Sequence, residues 1–159
     1  MIRGVIGMAL VAALVGAPGR ALAQSDEEAA VMAVVTALFD AMRAGDSTAL
    51  RATLHPGATA ATASVRDGVP TLERETSLDG FVQAVGTPHE GVWDERIRDA
   101  EVEVDGTLAT AWMKYAFYVG ENFSHCGVDA FQLFKSADGW KIFHIADTRR
   151  REGCETPGD

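Results

Sequence analysis

Apolar residues follow two different periods along this chain, and the change from one to the other divides it. Val31, Val34, Val35, Leu38, Phe39 and Met42 recur three and four residues apart, which builds one face of an amphipathic helix. Ser25 and Glu28 stand in capping-box spacing ahead of that face, and Gly45 stops it. Asp46 or Ser47 caps a short second helix carrying Leu50 and Leu54, which His55-Pro56-Gly57 ends. Ala58 to Val65 reads as a weak strand, Arg66-Asp67-Gly68 as a hairpin turn, and Val69 to Thr76 as the return. Ser77 caps a third short helix with Leu78, Phe81, Val82 and Val85 on its apolar side.

Beyond Thr87-Pro88 the period becomes two. Strands are predicted over Glu95 to Val104, Leu108 to Val119, about Glu121 to Lys135, and Trp140 to Thr148, with turns at Asp105-Gly106 and Ser136 to Gly139. Such short connections imply an antiparallel meander, and the order of elements makes the fold class α+β.

The first 23 residues belong to neither pattern. Arg3 gives a positive start, Val5 to Val15 is an apolar run broken only by Gly7, and Ala21-Leu22-Ala23 places small residues where a signal peptidase cuts. The run is too short to span a bilayer, so residues 1–23 read as a secretory leader cut after Ala23. The expected division is then leader 1–23, one domain over 24–152 and a tail over 153–159. Cleavage removes two arginines and no acid, leaving 136 residues with a formal charge of −11 instead of −9. That charge argues against nucleic acid, whose phosphates require a basic footprint. No later stretch is apolar enough for a membrane span. The expected location is periplasmic or secreted, and Cys126 and Cys154 read as a disulfide in that oxidising setting.

One resemblance runs from about Glu27 to Thr148. Helix, Gly45-Asp46, short helix and Leu54-His55-Pro56 come first, followed by Val104-Asp105-Gly106-Thr107-Leu108-Ala109. Gly127-Val128-Asp129-Ala130-Phe131-Gln132-Leu133 and Asp138-Gly139-Trp140-Lys141-Ile142 complete the series. In this order they resemble the nuclear-transport-factor-2-like superfamily, nearest its SnoaL-like polyketide-cyclase and ketosteroid-isomerase-like branches. The resemblance implies a cone: a bent antiparallel sheet wrapped on helices around a central pocket, often dimerised through the sheet. It also implies a choice of activities, because similar cones include isomerases, dehydratases, cyclases and non-catalytic binding proteins.

Proton-transfer branches need a buried titratable group, and His55, Tyr115, His125, Asp129, His144 and Asp147 are the candidates. If the face holding Phe131 and Trp140 looks into the cone, strand parity points Asp129 and His144 into it as base and orienting partner. Met113, Tyr115, Phe117, Phe131, Trp140 and His55 are the expected pocket residues. The bland alternatives are that His144 is a hydrogen-bonded rim residue, His55 caps a helix end and His125 serves a local turn. The histidines show no zinc-ligand spacing, and there is no glycine-rich phosphate loop, so neither metal nor cofactor is expected. Arg149-Arg150-Arg151 reads as a solvated strand end neutralising Glu152 and Glu155, with anion binding as the alternative.

The strand Leu108 to Val119 is apolar on both faces, with Ala109, Ala111, Met113, Tyr115 and Phe117 on one and Leu108, Trp112, Ala116 and Tyr118 on the other. A second subunit is the simplest cover, so a homodimer is expected. The leading functional expectation is an exported domain binding a small, largely apolar molecule. A proton-transfer isomerase, dehydratase or cyclase is the alternative, and a protein-interaction module using the sheet face is a third.

Overall fold

The structure, a computed structural model, describes residues 18–155, with side chains from Gln24 onward. The first 17 residues of the expected leader and the last four of the tail lie outside the described residues.

Helix α1 runs from Pro18 to Ala44 and buries Val31, Val35, Leu38, Phe39 and Met42, the face that the spacing predicts. Its start differs from the expectation. The helix continues back through Ser25, so no capping box forms there, because Arg20 to Gln24 is a run of good helix formers with nothing to break it. Gly45 ends the helix in the left-handed region with φ +67, a conformation that costs glycine little. Asp46 then caps α2 (Ser47–Thr53), its carboxylate accepting from the backbone N–H of Thr48 and Ala49.

Helix α2 is shorter than predicted, for Leu54 already begins strand β1 (Leu54–Arg66). The register of β1 breaks between Leu54 and Thr59, where Pro56 has no N–H to donate. Strand β2 (Val69–Glu75) returns by the expected hairpin, and α3 (Asp79–Val85) follows. The meander then comprises β3 (Trp93–Asp105), β4 (Leu108–Val119), β5 (Asn122–Ser136) and β6 (Gly139–Arg149).

All six strands form one sheet in the order β2-β1-β6-β5-β4-β3. Neighbours are antiparallel except β1 and β6, whose parallel pairing makes the sheet mixed. Register irregularities in β1–β6, β3–β4, β4–β5 and β5–β6 let the sheet bend over the helices. Phe39 of α1 meets Phe131 of β5 edge to face, with ring centroids 5.8 Å apart. The helix is tied to the sheet at its middle and near its C-terminal end. Glu27 accepts from Lys135 Nζ at 2.5 Å and from Trp140 Nε1 at 3.0 Å, while Arg43 Nε donates to Asp94 at 2.8 Å.

Cys126 and Cys154 form the expected disulfide, 28 residues apart in sequence. Beside it the Cys126 and Arg150 backbones exchange two hydrogen bonds of 2.9 and 3.0 Å, so residues 150–154 are pinned against β5. Closing a loop of this length constrains the unfolded chain by about 3–4 kcal/mol. Replacing both cysteines by serine lowers the unfolding free energy in urea by about that amount. An unchanged midpoint would show that the bridge constrains nothing.

Candidate functional site

The concave side of the sheet, α1 and α3 enclose a cavity of about 720 Å³. Leu38, Phe39, Met42, Phe81, Trp93, Phe117 and Phe131 give it a largely apolar wall. Against that wall stand Glu95, Tyr115, His125, Asp129, Asp147 and Arg149.

Strand register explains how these groups meet. Glu95 on β3, Phe117 on β4 and His125 on β5 form one cross-strand row. Met113, Asp129, Asp147 and Thr62 form another across β4, β5, β6 and β1. Between these rows lies Tyr115, opposite Gly127. A Cβ at Gly127 would collide with the Thr148 carbonyl and come within 2.8 Å of the Tyr115 ring, so glycine is what lets β6 and that ring close on β5. As a result the Tyr115 hydroxyl reaches the Thr148 carbonyl at 3.0 Å and Asp147 Oδ2 at 3.3 Å.

Asp147 is a fully committed carboxylate. Besides Tyr115 it accepts from Thr62 Oγ1 at 2.5 Å and from Arg149 Nε at 2.7 Å. Glu95 and Asp129 are placed very differently. Their carboxyl groups lie within hydrogen-bonding reach of each other, and among the described residues no cation is bonded to either. Asp129 is 4 % exposed, and its Oδ2 has no hydrogen-bond donor. Glu95 is half-buried, and it lines the cavity.

Burial pushes Glu95 up to about 7, against the partial relief of its bond to Asp129. Burial, then the nearby Glu95 charge, hold Asp129 well above the usual carboxylate range. Two carboxyl groups this close cannot both ionise cheaply, so the pair retains a proton near neutral pH, and that proton supplies the donor Asp129 lacks. Burial likewise raises the Tyr115 phenol, keeping it a hydrogen-bond donor. His125 is held below its ordinary range by burial and by Arg149, so it is neutral at pH 7.

The expected pairing of Asp129 with His144 is corrected by a bulge. Leu133 pairs with Ile142 and Gln132 with His144, leaving Phe143 as an extra residue in β6. Past that point the inward parity of β6 passes to Ile145, Asp147 and Arg149. His144 therefore shares the outer face with Gln132, where its Nδ1 bonds Thr59 Oγ1 at 2.8 Å. The cavity wall includes the expected Tyr115, Phe117 and Phe131. Met113 is fully buried in the core outside that wall, and Trp140 is turned to Glu27. His55 is exposed on β1, accepting from the Gly57 N–H instead of capping a helix. Glu95 and Arg149 are site residues the strand pattern passed over. Alternation of Glu95 with Trp93 and Ile97 on an inward face was the available signal for the first.

Because the native pair keeps a proton that the unfolded chain has released, stability falls as pH rises from about 4.5 to about 7. His125, shifted downward, works in the opposite sense, so comparison with Glu95→Gln isolates the carboxyl pair. Urea unfolding at pH 5 and pH 8 should show a larger loss for the native sequence than for the variant. Equal pH dependence in both would rule out a shared proton.

Comparison with known proteins agrees with this architecture. The sequence pattern of a family described as "Putative lumazine-binding" matches residues 26–145. No curated protein matches the chain significantly. Among solved structures, a Mycobacterium tuberculosis protein of unknown function superposes with a TM-score of 0.69 at 17% identity, covering 87% of this chain and 80% of that one. An NTF2-like protein with a cystatin-like fold from Novosphingobium aromaticivorans gives 0.63 at 13%, covering 85% and 86%. A "putative ketosteroid isomerase" from Shewanella frigidimarina gives 0.56 at 20%, covering 76% and 96%. At these identities the likeness to solved structures is one of fold, the nuclear-transport-factor-2-like cone. Matched over most of its length, the chain belongs to the family described as "Putative lumazine-binding".

Proposed function

We propose that this domain binds a small, largely apolar molecule in the cone and moves a proton on it, as an isomerase, dehydratase or cyclase does. The observation carrying this reading is the Glu95–Asp129 pair, two carboxyl groups held within hydrogen-bonding reach of each other in an apolar cavity. One member is then an acid and the other a base at neutral pH, the division of labour that proton transfer requires. Glu95, with surface open to the cavity, touches the ligand; Asp129, nearly closed off beneath it, sets its proton affinity. Tyr115 and Asp147 satisfy each other and serve to hold the wall.

A binding role without turnover is the second reading, favoured by the family's own description. The domain acts outside the cytoplasm after cleavage behind Ala23, a reading that rests on the leader pattern. It pairs with a second copy through the convex sheet face, where Leu108 is 51% exposed, Trp112 53% and Phe134 42%.

A substrate-independent probe tests the catalytic reading. In 5-nitrobenzisoxazole a base removes the ring C–H proton, the N–O bond breaks with its electron pair going to oxygen, and a coloured phenolate forms. The protein should accelerate this reaction with a rate that rises to a plateau above about pH 7. Glu95→Gln should lower the rate by roughly a hundredfold or more. Asp129→Ala should move the midpoint of the profile to higher pH, since it removes the hydrogen bond by which Asp129 partly relieves the buried Glu95 carboxyl. Acceleration no better than acetate at equal concentration would contradict the catalytic reading, and saturable binding of lumazine without turnover would support the second.

A further inference from the structure

A broad groove of about 1190 Å³ opens beside the cavity and shares Thr62, His125 and Arg149 with it. Its wall carries Arg66, Arg149, Arg150 and Arg151, against Glu73 and Glu152. Arg66 is paired with Glu73 at 2.6 Å and Arg149 with Asp147 at 2.7 Å. Arg150 and Arg151 have no ion pair among the described residues. In a chain with 23 acids against 14 basic residues, two unpaired guanidinium groups in one groove are a local reversal of charge. Their backbone is fixed as well: Arg150 is bridged to Cys126, and the disulfide holds the segment from its far side. A ligand meeting these arginines therefore orders less chain than a mobile tail would demand.

We infer that the ligand of the cone is an organic anion, its apolar ring body in the cavity and its carboxylate, sulfonate or phosphate group lying over Arg150 and Arg151. This deepens the cavity-binding reading above and rests on it. Arg149 stands at the junction, its Nε given to Asp147, so the site changes within one residue from a neutral apolar wall to a cationic floor. The apolar body supplies burial, and the guanidinium pair supplies orientation and rejection of uncharged analogues.

A matched pair of fluorescent probes tests this: N-phenyl-1-naphthylamine, which is neutral, and 8-anilino-1-naphthalenesulfonate, the same body carrying a sulfonate. At low salt the protein binds the sulfonate about tenfold more tightly, and the preference shrinks as salt screens the groove. The double variant Arg150→Gln/Arg151→Gln brings the affinity ratio close to one, while Arg51→Gln, on α2 and outside the groove, keeps it. Equal affinity for both probes in the native protein, or an unchanged ratio in the double variant, overturns the inference and leaves the cavity reading standing. Binding of neither probe overturns both. Full displacement of the sulfonate by inorganic phosphate at millimolar concentration would mean that the arginines take any free anion, and would also overturn it.

Discussion

Phe143 has no partner across the strand boundary, and much of the site follows from that. With the extra residue, β6 changes face between Ile142, which belongs to the core, and Ile145, which belongs to the cavity. A strand's side chains alternate strictly, so one inserted residue exchanges the whole following set between faces. Asp147 and Arg149 are thereby turned inward and His144 outward. Unbulged, the same sequence would offer the cavity a histidine and remove the carboxylate that Thr62, Tyr115 and Arg149 surround.

The cavity keeps its two kinds of carboxyl group apart by what each is given. Asp147 receives three donors, one of them a cation, so its charge is answered where it lies. Glu95 and Asp129 receive apolar walls and each other, so charge on both at once is costly. Gly127 makes this separation possible. By admitting the Tyr115 ring and the Thr148 carbonyl it directs the phenol toward Asp147 and leaves Asp129 Oδ2 without a donor. The result is a small apolar chamber with one labile proton, open on one side to arginines that the disulfide holds in place.

Most of the architecture could be read from local pattern. Val31 to Met42 gave the buried helix face, and Asp67-Gly68, Asp105-Gly106 and Asp138-Gly139 marked the hairpins, because both signals lie within a few neighbouring residues. What escaped was non-local. The parallel pairing of β1 with β6 joins segments more than eighty residues apart, with no turn between them to announce it. The bulge at Phe143 carries no glycine and interrupts an otherwise regular apolar alternation, so parity carried His144 to the wrong face. Asp129 was legible as a polar residue on an apolar strand face. Its partner was not, for Glu95 lies two strands away and acquires its character only when the sheet closes around it.

The chemistry of the cavity therefore depends on the proton shared by Glu95 and Asp129. Its most direct test is a ¹³C NMR titration of the side-chain carboxyl carbons in the native protein, followed between about pH 3 and 9. With a shared proton, Glu95 titrates near 7 and Asp129 titrates well above the ordinary range, each resonance sensing the other's ionisation. Two independent midpoints near 4, with both groups ionised at neutral pH, would contradict it.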